Sequence, residues 1–332
     1  MKVLPQPRGP LSELLMSALA EPPGALTATP AVAPLDPLAD EDLQLALYLC
    51  YELHYGGLPG VDDRWEWDPG LIEFRAALEQ PFEAALGAPG ESAAPEEMDL
   101  ALRAISEAGD APSPSTYVER HADIEQVLEF VIHRSAYQLK EADPHSWALP
   151  RLSGPPKAAL VEIQVDEYGG GRPERIHAAL FARAMEALGL DPEPGAYLEV
   201  IPGHTLATVN LMSLFGLHRR LRGAIVGHLA LFEMESSIPN RRYAAGLRRL
   251  GQGEDVTAFF DEHVEADAVH ENIAAVDLAG GLARQQPELA ADILWGARCL
   301  AELDARWATS VLSAWEAGES SLRDPTRALT AP

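Results

Sequence analysis

Three histidines and several carboxylates in this chain are spaced so that they could hold metal. The tightest grouping lies in the run DEHVEADAVHE, where His263, Asp267 and His270 follow one another at intervals of four and three. At about 3.6 residues per helical turn these positions share one stripe, so two imidazoles and a carboxylate converge on a small volume. That donor set suits ferrous iron, manganese or zinc. Glu262, Glu265 and Glu271 surround the triad, and a charged, solvated face is the plain alternative. Glu262 and Glu265 project elsewhere around the helix, which leaves the triad's stripe available for burial.

A second grouping joins Glu167 to His177 across DEYGGG. Glu167 ends one helix, Gly169, Gly170 and Gly171 allow the backbone to reverse, and His177 starts the next. A simple glycine-rich loop is the alternative. The third feature is Glu233 in ALFEMESS, where Leu229, Leu231, Phe232 and Met234 mark a buried helix. A carboxylate there must be paired, protonated or metal-bound, and an ion pair with Arg241 or Arg242 is the bland version. Glu235, two residues on, is expected to face solvent.

Glu141, in LKEADPHSWALPRL with His145 and Trp147 nearby, reads either as an ordinary helix-terminal acid or as a supporting or alternative ligand. Glu129 and Glu162 are weaker candidates of the same kind. Inward-facing carboxylates and imidazoles on four helices are a common way to build a two-metal site. The Glu-x-x-His repeats of ferritin-like proteins are absent, so a different scaffold is expected.

The elements that must position these residues are helices. Apolar residues recur at helical spacing from Glu41 until Gly56, Gly57, Pro59 and Gly60, then over about 71–86, and after a linker at 87–97 in a short helix to about 108. The main body starts near Tyr117 and runs to the stop at Asp143-Pro144. Later helices are expected over about 158–167, 174–189, 204–217, 219–236, 240–250, 254–279 and 287–315. Almost nothing reads as a strand, and the fold class is all-α.

Composition narrows the function. With 51 acidic against 25 basic residues the formal charge is −26, which repels phosphates and argues against nucleic-acid or anionic-membrane partners. No apolar run reaches membrane-spanning length. Residues 11–20 only faintly resemble a secretory leader, being interrupted by Ser12, Glu13 and Ser17. Two cysteines, Cys50 and Cys299, are too few for a disulfide framework, and a cytoplasmic location is expected.

The order Glu167, His177, Glu233, His263-x-x-x-Asp267-x-x-His270 resembles that of the haem-oxygenase-like di-iron oxidases and oxygenases. The similarity covers about residues 117–315. It implies a haem-oxygenase-like helical bundle as the catalytic core at 116–318; the Pro/Ala-rich composition marks an arm at 1–38, helical spacing an N-terminal helical extension at 39–115 that the family core does not explain, and a tail follows at 319–332. The resemblance implies six metal ligands, Glu167, His177, Glu233, His263, Asp267 and His270, holding two ferrous ions per chain. One division places Glu167, His177 and Asp267 or Glu233 on one iron, and His263, His270 and a shared carboxylate on the other.

Dioxygen would be the co-substrate. The expected activity is oxidation of a small amine or amino acid by N-oxygenation, desaturation or C–C cleavage, in specialised metabolism and with an external electron donor. Arg219, Arg220, Arg241 and Arg242 are candidates for a substrate carboxylate. A homodimer is compatible with the fold, although no residue argues for one. Two other readings stay open: a haem-dependent or metal-free enzyme on the same fold, and a non-catalytic helical binding protein. Cys50 and Cys299 lack the histidine and acid context that would make either a nucleophile.

Overall fold

The computed structural model describes residues 4–24, 26, 34–109 and 112–324, without the side chains of 265–269. In chain order its helices are α1 (Pro10–Leu19), α2 (Glu41–Glu52), α3 (Pro69–Ala85), α4 (Met98–Glu107), α5 (Pro114–Arg120), α6 (Ile124–Gln138), α7 (Asp143–Ser146), α8 (Gly154–Glu167), α9 (His177–Ala187), α10 (Gly203–Leu217), α11 (Arg222–Arg249), α12 (Glu254–Asn272), α13 (Gly281–Gln285) and α14 (Ala290–Glu316). A π-helical segment, Ile273–Gly280, follows α12. Among the described residues there is no strand, and the all-α class stands. None of these helices is long and apolar enough to cross a membrane.

Contacts divide the chain into two units. The first comprises Met1–Ala88 and Ile201–Leu214. Within the stretch expected to be an arm, Pro10–Leu19 is helical and buries Leu15 and Leu19. Proline suits a first helical position, and the Asp42 carboxylate accepts hydrogen bonds from the Leu11 and Ser12 amides at 2.7 and 2.8 Å. Asp40 and Asp68 cap α2 and α3 in the same way. Asn210 donates to the Gln44 carbonyl and side chain, fixing residues 201–214 against α2.

The second unit comprises Pro89–Val200 and Phe215–Pro332. Its central element is α11, which packs mainly against α12 and α14. The approach of α11 to α14 depends on glycine: a Cβ at Gly227 would lie 1.7 Å from the Ile293 carbonyl oxygen, and one at Gly296 2.0 Å from that of Ala224. Sequence spacing predicts two helices here, breaking near Pro239, but α11 runs through. Proline removes one backbone donor. Tertiary packing outweighs the local signal.

Candidate metal centre

Glu167 is the last residue of α8 and His177 the first of α9. Between them Gly169, Gly170 and Gly171 all have positive φ, at 69, 60 and 78°. Gly169 has a second constraint: a Cβ there would stand 2.7 Å from the backbone of Arg175 and Ile176. The corner therefore closes only with glycine, and His177 Nδ1 comes 3.1 Å from Glu167 Oε2.

On α12, the His263 ring is held by Nδ1 donating to the Phe259 carbonyl at 2.7 Å. This fixes the tautomer and turns Nε2 toward Glu141 Oε1, 3.4 Å away. The His177 and His263 ring centroids are 4.4 Å apart. Two turns further on, His270 points Nδ1 at Glu233 Oε2, 3.4 Å away, and Nε2 at Asp166 Oδ2, 3.1 Å away. Glu141, Glu167, His177, Glu233, His263 and His270 are each 7 % exposed or less.

These residues form two groups whose candidate ligand atoms lie within 4.8 Å of one another: Glu141, Glu167, His177 and His263, and Glu167, Glu233 and His270. Glu167 is common to both. The grouping of candidate ligands therefore differs from the division expected between two irons. His263 sits with His177 rather than with His270, because the turn after α6 and the glycine corner bring Glu141 and His177 to the His263 end of the stripe. Asp267 lies on α12 between the two histidines, but its side chain is outside the described residues.

Burial and pairing oppose each other at these groups. Burial resists ionisation of Glu167, yet His177, with His263 and His270, holds its carboxyl below the usual value. Burial also disfavours charged His177 and His270, but Glu167 raises the former, and Glu233, with Asp166 and Glu167, raises the latter to about 9. Among the described residues, no lysine or arginine forms an ion pair with Glu141 or Glu167. Glu141 Oε2 is buried with no hydrogen-bond partner. A divalent cation would supply both the missing counter-charge and the missing partner. Imidazole and carboxylate donors are ones that iron accepts, so the residues fit the group.

Sequence reading undervalued Glu141. Instead of ending a helix at the surface, it lies in the turn after α6 and faces inward. The next residue, Ala142, has φ 74°, the one positive value among described non-glycine residues. The signal was present only as an acid beside Asp143-Pro144. Asp166 was missed altogether, since adjacency to Glu167 says nothing about which histidine it meets.

Other candidates fall outside the groups. Glu129 accepts from Trp315 Nε1 at 2.8 Å and from the Ser321 amide at 2.9 Å, anchoring the C-terminal segment, while Glu162 is exposed. Glu235 does not face solvent: it is half-buried, bonded to Ser106 and set in a cavity wall. Arg242 lines the same cavity, whereas Arg219, Arg220 and Arg241 are exposed. The charged-face reading of DEHVEADAVHE holds for the flanks of the stripe, where the half-buried Glu262 pairs with Arg175 at 2.6 Å and Glu271 with Arg103 at 2.9 Å. Burial pushes both cysteine thiols up to about 12, so neither is an activated nucleophile.

A family model described as iron-containing redox enzyme matches residues 128–305, more than half of the chain. The chain belongs to that family. The match embraces Glu141, Glu167, His177, Glu233, His263 and His270. This iron-containing redox enzyme is also similar to nitrosourea synthase of Streptomyces achromogenes subsp. streptozoticus, with 31% identity over 138 residues. The matched stretch is 41% of this chain and 29% of that protein, so it spans under a third of the relative's length.

Proposed function

We propose that the chain is an O2-dependent, non-haem di-iron oxidase or oxygenase acting on a small amine or amino-acid-like substrate. The observation that carries this reading is the pair of buried His/carboxylate groups sharing Glu167. Glu141, Glu167, His177 and His263 would hold one iron, and Glu167, Glu233 and His270, joined by Asp267 from its place on the stripe, the other. Bound ferrous iron would supply electrons for reducing dioxygen and coordination positions left open by the protein. Glu167, common to both groups, would serve both ions, and its negative charge would offset their mutual repulsion. Phe259 and Asp166 orient the rings of His263 and His270, so that the donor atoms are set before metal arrives.

The relative's name denotes a nitrosourea product, and oxidation at nitrogen is the reaction class it brings to this proposal. The second electron pair, where one is needed, would come from an external donor.

Anaerobic titration of the metal-free chain with ferrous iron tests the reading. We expect uptake of about two equivalents, falling below one in Glu167→Gln with overall affinity reduced at least about a hundredfold. Uptake unchanged in that variant, or a stoichiometric haem band with no ferrous uptake, would overturn it.

A further inference from the structure

A cavity of about 500 Å³ in the second unit has Glu141 and His263 in its wall. Its size is that of a small-molecule site. Its walls are rich in aromatic rings, with Phe130 stacked on Tyr243 at 4.4 Å between centroids. Besides Glu141, four charged side chains stand within this lining: Arg134 on α6, Glu235 and Arg242 on α11, and Asp304 on α14.

These four are not used up by one another. Among the described residues, none forms a salt bridge. Arg134 rests over the Trp307 ring, 5.5 Å from its centroid, and Glu235 is bonded to Ser106. The Asp304 carboxyl is raised by burial against the opposing charge of Arg134. Glu235 and Arg242 are seven residues apart on one face of α11, roughly 10 Å along the axis and too far to neutralise each other. Two anionic and two cationic groups held apart around one cavity form a receptor whose own charges sum to zero. Its complement is a ligand with an ammonium and a carboxylate close together.

Resting on the di-iron reading of the adjoining groups, we propose that Arg134, Glu235, Arg242 and Asp304 bind the zwitterionic head of an α-amino acid. The side chain extends along the cavity toward Glu141 and His263. Asp304 and Glu235 accept from the ammonium, and Arg134 and Arg242 donate to the carboxylate. Arg134 lies a turn before the end of α6, and Glu141 in the turn that follows it. The atoms presented to the metal groups thus belong to the far end of the substrate's side chain, not to its α-amino group.

The test uses the full metal-free chain and calorimetric binding of L-arginine, L-lysine, L-norleucine and L-tryptophan, each beside its N-acetyl and carboxamide derivatives. At least one parent amino acid binds, and blocking either head charge weakens it about tenfold or more. Asp304→Asn weakens the parent by a similar factor and leaves the N-acetyl derivative unchanged. Arg134→Gln does the same with respect to the carboxamide. Glu235→Gln is a second acidic variant, and circular dichroism verifies the fold of each.

Binding by none of the four, equal binding of blocked and unblocked forms, or loss of parent and derivative alike would overturn the proposal. Ferrous uptake, measured separately, distinguishes the two readings. Head-group selectivity in a chain that takes no iron would sustain this one and sink the metal centre. Full iron uptake without selectivity would do the reverse.

Discussion

The first unit buries Tyr51, His54, Arg75 and Glu79 together, and the second buries Glu141, Glu167, His177, Glu233, His263 and His270. Both place acids and histidines where water cannot solvate them, and they differ in where the positive charge comes from. In the first, Arg75 Nε stands 3.2 Å from Glu79 Oε1, Nη1 contacts His54 Nε2, and Tyr51 donates to Glu79 at 3.1 Å. Arg75 is this cluster's own permanent counter-charge. In the second, the counter-charges at Glu141 and Glu167 are imidazoles, which carry charge only when protonated. A cluster with its own guanidinium serves the fold, whereas one that depends on protons is free to exchange them for metal.

The sharpest way to break this comparison is to remove the built-in cation. Arg75→Ala should destabilise the chain by about 3–5 kcal/mol, because it leaves Glu79 buried without its partner. Urea unfolding of the metal-free protein measures this. In the folded fraction, ferrous uptake should stay at the wild-type value. A loss under 1 kcal/mol, or iron uptake falling with it, would mean that the first cluster is not a self-contained structural unit.

A smaller effect separates the clusters by sign. Burial, then Arg75, pushes His54 down to about 4, below its unfolded value of about 6.5. Folding therefore loses stability as pH falls from about 6.5 toward 4, where the unfolded state takes up a proton that the folded state refuses. His270 is the opposite case, held at about 9 against burial by Glu233, Asp166 and Glu167. Its contribution is whole below about 6.5 and is lost as pH rises toward 9. Each effect should amount to about 1–2 kcal/mol after solvent screening is allowed for. Melting curves of the metal-free chain from pH 4 to 9 should decline at both ends. Ferrous iron should abolish the alkaline decline alone, since it takes the place of the proton. An alkaline decline that persists with iron bound would place His270 outside the metal groups.

The contrast also shows what sequence can reveal. The helical class was legible because apolar residues repeat at helical spacing across most of the chain. His263 and His270 were legible because their interval places them on one stripe, and Glu167 with His177 because three consecutive glycines leave few roles for what flanks them. Glu233 stood out as an acid in an apolar run. Glu141 was ambiguous because its inward turn depends on the backbone of Ala142, and no side chain announces an unusual φ. Glu235 was misread since alternation alone sends it to solvent, while the cavity between helices that receives it is a product of packing. The interior of α11 resisted for a related reason: proline is a strong local signal that the contacts with α12 and α14 override.

The smallest expected effect tests that turn. A positive φ at Ala142 costs about 1–3 kcal/mol in a residue with a Cβ, and glycine would remove the cost. Glycine also widens the unfolded ensemble, which costs about 0.4–1 kcal/mol. Ala142→Gly should therefore leave stability unchanged or raise it by up to about 2 kcal/mol. Ala136→Gly, inside α6, should lower it by about 1 kcal/mol or more, since glycine has no compensating role in a helix. The freer turn would hold Glu141 less firmly, and ferrous affinity should fall by less than about tenfold while stability holds. Measured together by urea unfolding and ferrous titration, the two variants separate strain from propensity. If Ala142→Gly destabilised the chain as much as Ala136→Gly, the backbone at 142 would be relaxed, and the inward orientation of Glu141 would need another cause.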